Sequence, residues 1–278
     1  MATITKKTIL NENTIALDIE CSLIAKKAQA GQFVIIRIDE FGERIPLTIN
    51  DCLGDNIRII FQTVGKTTMQ LGDSEVGNEI LDVLGPLGKA TEFGSANKVA
   101  IVVGGLGAAI GYLSAKQLFT KQTEVDIIAG FRNQAMIILK PEMQAVSDNL
   151  YLCTDDGSYG FAGFVSQQLE ELIPQKAYDL VVTIGPLLMM KAVSNVTKKY
   201  GIRTLASMNP LMMDGSGMCG CCRLTYDGKT KFACVDGPDF EADKVDFDEL
   251  IVRNNFYRTQ EQAAKEHYCQ LINKVSGD

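Results

Sequence analysis

A continuous apolar run, KVAIVV at 98–103, followed at once by the glycine-rich turn GGLGAA, constrains the fold more than any other segment. After its first lysine the run is entirely apolar, which is typical of a strand buried on both faces of a parallel sheet. Strand-like segments recur at 124–130, 149–154, 178–185 and 202–208, with helix-like segments at 110–119, 165–173 and 187–200. This alternation predicts a doubly wound α/β sheet.

The first part of the chain has a different pattern. Short apolar runs separated by Gly, Asp and Asn occur at 32–38, 45–49, 56–64 and 78–85. Strands this short and frequent predict a small β barrel or sandwich, and no long stretch has a helical period.

The chain has 278 residues, and domains of about 100–200 residues predict two domains with a smaller appendage. We place a β domain at 1–96, an α/β domain at 97–208, and a cysteine-containing region with a helical tail at 209–278.

Charge and hydropathy exclude several classes of function. The 27 basic and 34 acidic residues give a net charge of −7, which argues against general nucleic-acid binding. No run approaches the roughly 20 apolar residues that cross a bilayer, and the N-terminus lacks the apolar core of a signal peptide. We therefore expect a cytoplasmic protein without a membrane segment. The single histidine, His267, excludes most histidine-dependent chemistry.

Four of the eight cysteines crowd into residues 219–234. With Asp214, Cys219, Cys222 and Cys234 as ligands, the spacing is Asp-x4-Cys-x2-Cys-x11-Cys. Plant-type [2Fe–2S] loops have the spacing Cys-x4-Cys-x2-Cys with a distant fourth Cys, so Asp214 stands where the first Cys would be. Glycines at 215, 217 and 220 let the backbone approach the sulfurs. The pattern favours a [2Fe–2S] cluster.

Two other readings of this loop remain open. A zinc site would prefer two paired Cys-x2-Cys arms, and the thiols could also be inert. Cys221 competes with Cys222 as a ligand, but only Cys222 keeps the x2 spacing. The remaining cysteines are scattered and resemble small buried hydrophobes.

Three loops that follow strands indicate a ligand crevice. Gly104, Gly105 and Gly107 form a phosphate-binding type of turn, although Ile110 occupies the third glycine position of the dinucleotide fingerprint. The segments TDDGSYG at 154–160 and TIGP at 183–186 follow later strands. The carboxyl ends of strands are where doubly wound sheets bind ligands.

The motifs RIPLTI, GGLGAA, TDDGSYG, GPLLMMKAV and DGSGMCGCCR…KFACVDGPDF together resemble the ferredoxin–NADP reductase superfamily over nearly the whole chain. The resemblance is to the branch that contains the dihydroorotate dehydrogenase electron-transfer subunit and the small subunit of NADH-dependent ferredoxin:NADP oxidoreductase, or sulfide dehydrogenase. Asp214 departs from the four-cysteine pattern of the dihydroorotate subunit.

The resemblance implies an antiparallel FAD-binding barrel, a nucleotide domain and a C-terminal [2Fe–2S] loop. It implies that Thr48 lies near the flavin N5, that no side chain acts as catalytic acid or base, and that two sets of residues bind cofactors. The FAD set is Arg44, Pro46, Leu47, Thr48, Gly65, Lys66, Thr67 and Thr68. The nicotinamide-nucleotide set is Gly104, Gly105, Gly107, Asp155, Asp156, Gly157, Gly185, Pro186 and Met190. Ile184 stands where many reductases carry a Cys, so no catalytic thiol is expected there.

The implied function is electron transfer from NADH through FAD to the [2Fe–2S] cluster and on to a larger FAD and [4Fe–4S] subunit. That complex would couple NADH, NADPH and ferredoxin by electron bifurcation. The alternatives are a subunit of a dihydroorotate dehydrogenase or of a larger bifurcating assembly, and a non-enzymatic zinc- or nucleotide-binding module.

Two points stay open in the sequence. The resemblance implies NAD(H), but Arg132 at the end of the second parallel strand suits the 2′-phosphate of NADP(H), while Glu124 and Asp126 lie toward its start. The tail at 246–278 is either a packing arm or partner contact, or an amphipathic solvated helix.

Overall fold

Two seven-stranded sheets organise the computed structural model, which describes residues 1–276. The first sheet has the order β6-β1-β2-β5-β4-β3-β7, with every neighbouring pair antiparallel, and forms a nearly closed barrel. Its strands are β1 (Ala2–Asn11), β2 (Thr14–Glu20), β3 (Phe33–Arg37), β4 (Arg44–Leu53), β5 (Asn56–Gln62), β6 (Glu79–Ile80) and β7 (Asp82–Leu87).

Two helices interrupt the barrel strands. The helix α1 (Ser22–Ala25) is one turn long, and α2 (Lys66–Asp73) follows β5. The sequence does not reveal α2, because its eight residues span only two turns and include two threonines and a glycine, which are poor helix formers.

The second sheet has the order β11-β10-β9-β8-β12-β13-β16. All its neighbours are parallel except β13 and β16. Its strands are β8 (Lys98–Gly104), β9 (Glu124–Phe131), β10 (Asn149–Thr154), β11 (Phe161–Ala162), β12 (Leu180–Ile184), β13 (Arg203–Ser207) and β16 (Asp239–Glu241). Its helices are α3 (Gly107–Thr120), α4 (Lys140–Ala145), α5 (Val165–Lys176) and α6 (Leu187–Lys199). The strand order runs outward from β8 in both directions, through β9 on one side and β12 on the other, as in a doubly wound sheet. The predicted barrel and doubly wound sheet are confirmed.

The cysteine region is built onto the second sheet. A hairpin of β14 (Arg223–Tyr226) and β15 (Lys229–Phe232) leads to α7 (Ala233–Asp236), and β16 then pairs with β13. The chain ends in α8 (Phe247–Asn254) and α9 (Arg258–Ser276). Within the described residues, no helix combines the length and apolar character needed to cross a membrane.

Polar contacts join the two sheets through α3. The Asn50 side chain donates to the Ala109 carbonyl at 2.7 Å, and the Lys116 ammonium lies 2.7 Å from the Asp51 carboxylate. Because Asn50 and Asp51 lie on β4 and are buried, these bonds fix the barrel against the first helix of the α/β unit. The cleft between the two therefore has a defined shape.

Candidate functional site: a dinucleotide cleft beside a cysteine loop

A cavity of about 1110 Å³ lies between the barrel and the carboxyl ends of the parallel strands. It is larger than the roughly 300–1,000 Å³ of most small-molecule pockets, and its lining is mostly apolar. A cleft of this size at the point where the strand order reverses is where doubly wound sheets bind nucleotides.

The barrel wall of the cavity comes from β4. Pro46, Leu47 and Thr48 line it, whereas Arg44 is exposed and lies outside the lining. The structure thus brings three of the four predicted RIPLT residues to the cleft. Phe33 on the adjacent β3 lines it as well.

The turn at the start of α2 borders the same wall. Val64 lines the cavity, while Gly65, Lys66, Thr67 and Thr68 do not. The Thr67 hydroxyl donates to Glu43 at 2.8 Å, and the Thr68 hydroxyl accepts from the Gly65 amide at 3.0 Å. The Thr68 hydroxyl therefore serves the turn itself, and the Thr67 hydroxyl ties the turn to the residue before β4. The free N–H groups at the start of α2 are then available to an anion.

The glycine turn after β8 forms the opposite wall. Gly104, Gly105 and Gly107 all line the cavity. A Cβ on Gly107 would lie 2.1 Å from the Ile184 carbonyl oxygen, so only glycine allows α3 to approach β12 this closely. The backbone itself therefore faces any ligand at this turn.

The loops that follow β10 and β12 contribute different numbers of predicted residues to the cavity lining. Asp155, Gly185 and Pro186 line the cavity. Asp156 and Gly157 lie outside the lining, and Asp156 instead accepts from the Ser158 amide at 2.9 Å. That bonding to Ser158 lowers the pKa of Asp156 below its ordinary value.

Met190 is not brought to the cleft. It is fully buried in the packing behind the loop, and its neighbours Leu188 and Met189 line the cavity instead. The helical repeat of α6 explains the difference, because residue 190 turns toward the sheet when 188 and 189 face the cleft.

Only three of the described lining residues are charged, namely Arg132, Asp155 and Lys265. Arg132 follows β9 at the carboxyl edge of the sheet. Glu124 pairs with Lys98 at the other end of the strand, and buried Asp126 accepts from the Tyr178 hydroxyl at 2.7 Å. Neither acid reaches the cleft, so the cation is the charged group that β9 presents there.

One buried polar atom in the cleft lacks a partner. Thr14, at the start of β2, lines the cavity, and its hydroxyl forms no hydrogen bond with any described residue. Because such groups are normally satisfied, the hydroxyl fits a polar ligand atom. A dinucleotide supplies both polar atoms and the apolar ring surface that the remaining lining requires.

The motifs did not indicate several residues of the cleft. They come from the β1–β2 turn, the end of β5, the segment before the cysteines and the C-terminal helix: Asn13, Thr14, Gln62, Thr63, Asn209, Pro210, Met212 and Lys265. The signal nearest to them was the GKTT turn, which directly follows Gln62, Thr63 and Val64. For Asn13, Thr14 and Lys265 we find no local signal.

The four predicted cluster ligands come together as two pairs. The Cys222 and Cys234 sulfurs lie 3.1 Å apart and are buried, and the Cys219 thiol donates to Asp214 Oδ1 at 3.4 Å. In the part of the chain that is described, no three such donors converge on a common point. Cys221 belongs to neither pair: its sulfur lies 3.3 Å from the Met213 sulfur, although its thiol also interacts with that of Cys219.

The loop conformation suits close approach of its backbone to a bound group. Gly215, Gly217 and Gly220 all have positive φ, at 72°, 81° and 70°. The Ser216 amide donates to Asp214 at 2.9 Å, and this bond lowers the pKa of Asp214. Burial raises the pKa of Cys234 to about 12. An ionised carboxylate and three thiols form a donor set that fits an iron–sulfur cluster.

The cysteine loop and the cleft share one core. Cys222 and Cys234 pack in the same buried group as Phe33, Met208 and Met212, which line the cleft. Continuous apolar packing therefore joins the loop to the wall of the cavity.

Comparison with known proteins agrees with this arrangement. Residues 209–246 match the family described as the iron–sulfur cluster binding domain of dihydroorotate dehydrogenase B. The chain is 40% identical to a dihydroorotate dehydrogenase B (NAD(+)) electron transfer subunit homolog of Thermotoga maritima, with 96% of this chain and 95% of that protein covered. It is 32% identical to the electron transfer subunit from Clostridium perfringens, with 80% and 88% covered.

A solved structure also matches over almost its full length. It comes from work on flavin-based electron bifurcation by an NADH-dependent reduced ferredoxin-NADP oxidoreductase. The TM-score is 0.91 at 38% identity, with 97% of this chain and 98% of that chain covered. From the barrel, the doubly wound sheet, the cysteine loop and these matches, the chain belongs to the family of dihydroorotate dehydrogenase B electron transfer subunits.

Proposed function

We propose that this chain is the NAD(H)-oxidising subunit of an electron-bifurcating complex that couples NADH, NADPH and ferredoxin. The observation that carries the proposal is the shared core of Phe33, Met212, Cys222 and Cys234, which lies between the dinucleotide cleft and the cysteine loop. A two-electron donor site and a one-electron carrier site would then be connected through one continuous buried core. The matched structure of the NADH-dependent ferredoxin-NADP oxidoreductase supports this choice of complex.

Each cofactor has a proposed set of residues in this chain. FAD would lie against Pro46, Leu47 and Thr48, with its diphosphate at the start of α2. The nicotinamide nucleotide would lie along Gly104, Gly105, Gly107, Asp155, Gly185 and Pro186. When bound, FAD accepts a hydride and the [2Fe–2S] cluster carries single electrons.

The residues of this chain bind and orient the cofactors, and none of them needs to move a proton. The glycine turn presents N–H groups to phosphates, and the apolar lining excludes water from the flavin side of the cleft. Asp214, Cys219, Cys222 and Cys234 would hold the [2Fe–2S] cluster. The electrons would then pass to a larger FAD and [4Fe–4S] subunit.

One observation favours NADP(H) as the alternative to NAD(H). Arg132 lines the cleft at the end of β9, where an acidic residue is expected for NAD and a cation accommodates the 2′-phosphate of NADP. We retain NAD(H) as the proposed donor, and NADP(H) is the alternative that Arg132 supports.

The deciding experiment is an anaerobic visible and EPR spectrum of the purified chain before and after NADH, and separately after NADPH. Bleaching of flavin absorbance with a reduced [2Fe–2S] signal supports the proposal; dithionite serves if NADH is too weak a reductant. A colourless zinc protein that takes up neither FAD nor iron and sulfide on reconstitution would overturn it. A preference of tenfold or more for NADPH would replace the proposed donor.

Copurification then separates the complexes. A tagged chain expressed in its own cells is expected to retain a larger flavin- and [4Fe–4S]-containing subunit. The complex should reduce NADP+ only when NADH and reduced ferredoxin are both supplied as electron donors. Retention of a dihydroorotate-oxidising subunit instead would assign the chain to the alternative complex.

A further inference from the structure

The C-terminal helix α9 reaches back across the molecule to the dinucleotide cleft. It packs on α2 of the barrel, and the Tyr268 hydroxyl donates to Asp73 at the end of α2 at 3.0 Å. One turn earlier on α9, Lys265 lines the cavity. Although Tyr268 and Asp73 are 195 positions apart in sequence, α9 thus contributes to the barrel side of the cleft.

One face of α9 makes this contact. Ala264, Lys265, Tyr268 and Cys269 are partly buried, whereas Glu266 and His267 are exposed. The spacing of the buried positions is that of neighbours on a helix surface. Lys265 is therefore held toward the cleft by the packing of its own face.

Lys265 is the only basic residue on the barrel side of the described lining. The other cation, Arg132, follows β9 on the α/β side, close to the acid Asp155. Among side chains that the structure describes, no carboxylate pairs with the Lys265 ammonium. A partly buried cation without a counter-charge fits an anionic ligand.

We propose that Lys265 binds the diphosphate of the flavin dinucleotide and that α9 is the strap that holds the flavin in the barrel. This inference rests on the proposed FAD site. The lysine adds a positive charge that faces the cavity, whereas Lys66 of the α2 turn lies outside the lining. The hydroxyls of Thr67 and Thr68 are already engaged, by Glu43 and by Gly65. Lys265 is thus a binding and positioning residue, with no part in the hydride step.

The test is the affinity of the deflavinated full-length chain for FAD, measured by quenching of flavin fluorescence. Lys265→Met is expected to raise the FAD dissociation constant about tenfold, equivalent to about 1.4 kcal/mol, and to weaken its dependence on salt. Lys265→Arg should restore most of the affinity. Arg258→Met is the matched control, because it removes one exposed positive charge from the start of the same helix, outside the cavity lining.

The outcomes separate this inference from the proposed function. If the unaltered chain binds FAD and Lys265→Met binds it equally well, the strap role is overturned while the electron-transfer proposal stands. If Lys265→Met leaves FAD binding unchanged and weakens only NADH binding, the lysine serves the nicotinamide nucleotide and the inference as stated is wrong. If the unaltered chain does not bind FAD, the proposed function itself fails.

Discussion

The sulfurs of Cys222 and Cys234 lie 3.1 Å apart inside a core that also contains Phe33 and Met212 from the wall of the dinucleotide cleft. Twelve positions separate the two cysteines in sequence, and the β14–β15 hairpin returns the chain so that they meet. The buried sulfur pair and the wall of the cleft therefore belong to one continuous core.

Single replacements of Cys222 and Cys221 test which of the two cysteines is the cluster ligand. We expect Cys222→Ser to lose most of its iron and sulfide after anaerobic reconstitution, because it removes one of the buried paired sulfurs. Cys221→Ser should keep both, since its sulfur lies beside Met213 outside the two pairs. Cys153→Ser is the control for a buried thiol far from the loop. Equal loss of iron in Cys221→Ser would reassign the ligand.

Asp214 is expected to be a ligand that a thiolate can replace. Asp214→Ala should bind less iron, whereas Asp214→Cys should retain the cluster with a shifted midpoint potential, because the donor atom changes from oxygen to sulfur. Iron analysis and a dye-equilibrated redox titration measure both effects. Full iron content and an unchanged potential in Asp214→Ala would show that the carboxylate is not a ligand.

Gly107 should tolerate no side chain. In Gly107→Ala the new Cβ meets the Ile184 carbonyl oxygen at 2.1 Å, so α3 must shift, and we expect a loss of about 3 kcal/mol, the upper end for overpacking. Gly65→Ala is the comparison: its φ is −127° and its Cβ meets open space, so the cost should stay below about 1 kcal/mol. Urea unfolding gives both values. Similar losses would contradict the close approach of α3 to β12.

The ion pair between the barrel and α3 should stabilise the fold. Lys116→Met leaves the carboxylate of Asp51 buried without its cation. We expect a loss of about 1–2 kcal/mol, less than for a fully buried pair, because the Lys116 side chain is 38% exposed. Lys26→Met breaks a pair whose side chains are 68% and 63% exposed, and it should change stability by well under about 1 kcal/mol. Thermal unfolding that ranks the two variants in the opposite order would refute this role.

Asp239 should make stability depend on pH. Burial raises the pKa of its carboxyl, although the Thr91 hydroxyl donates to it, and the other oxygen has no partner among the described residues. A raised folded-state pKa stabilises the fold at low pH, and that contribution is lost as pH rises through it. Asp239→Asn should therefore gain stability relative to the unaltered chain as pH rises from about 4. Parallel pH profiles from urea unfolding would contradict this.

Local pattern determined much of the fold. The apolar run at 98–103, its glycine turn and the alternating segments after it predict the doubly wound sheet, because strands buried on both faces need an unbroken apolar sequence. The spacing of Asp214, Cys219, Cys222 and Cys234 likewise placed the candidate ligands in a single loop. Helix α2 and strands β1 and β2 were not predicted from the sequence, because short or irregularly patterned elements carry little periodic signal.

The tertiary structure alone decided which of these residues face one another. It brought Pro46, Leu47 and Thr48 to the cleft and turned Arg44 and Met190 away, because strand alternation and helical phase set the direction of each side chain. It also placed Lys265 on the barrel side of the cleft, a position that no spacing encodes. Sequence pattern fixes local conformation and burial, whereas contacts between distant segments depend on how their apolar faces pack together.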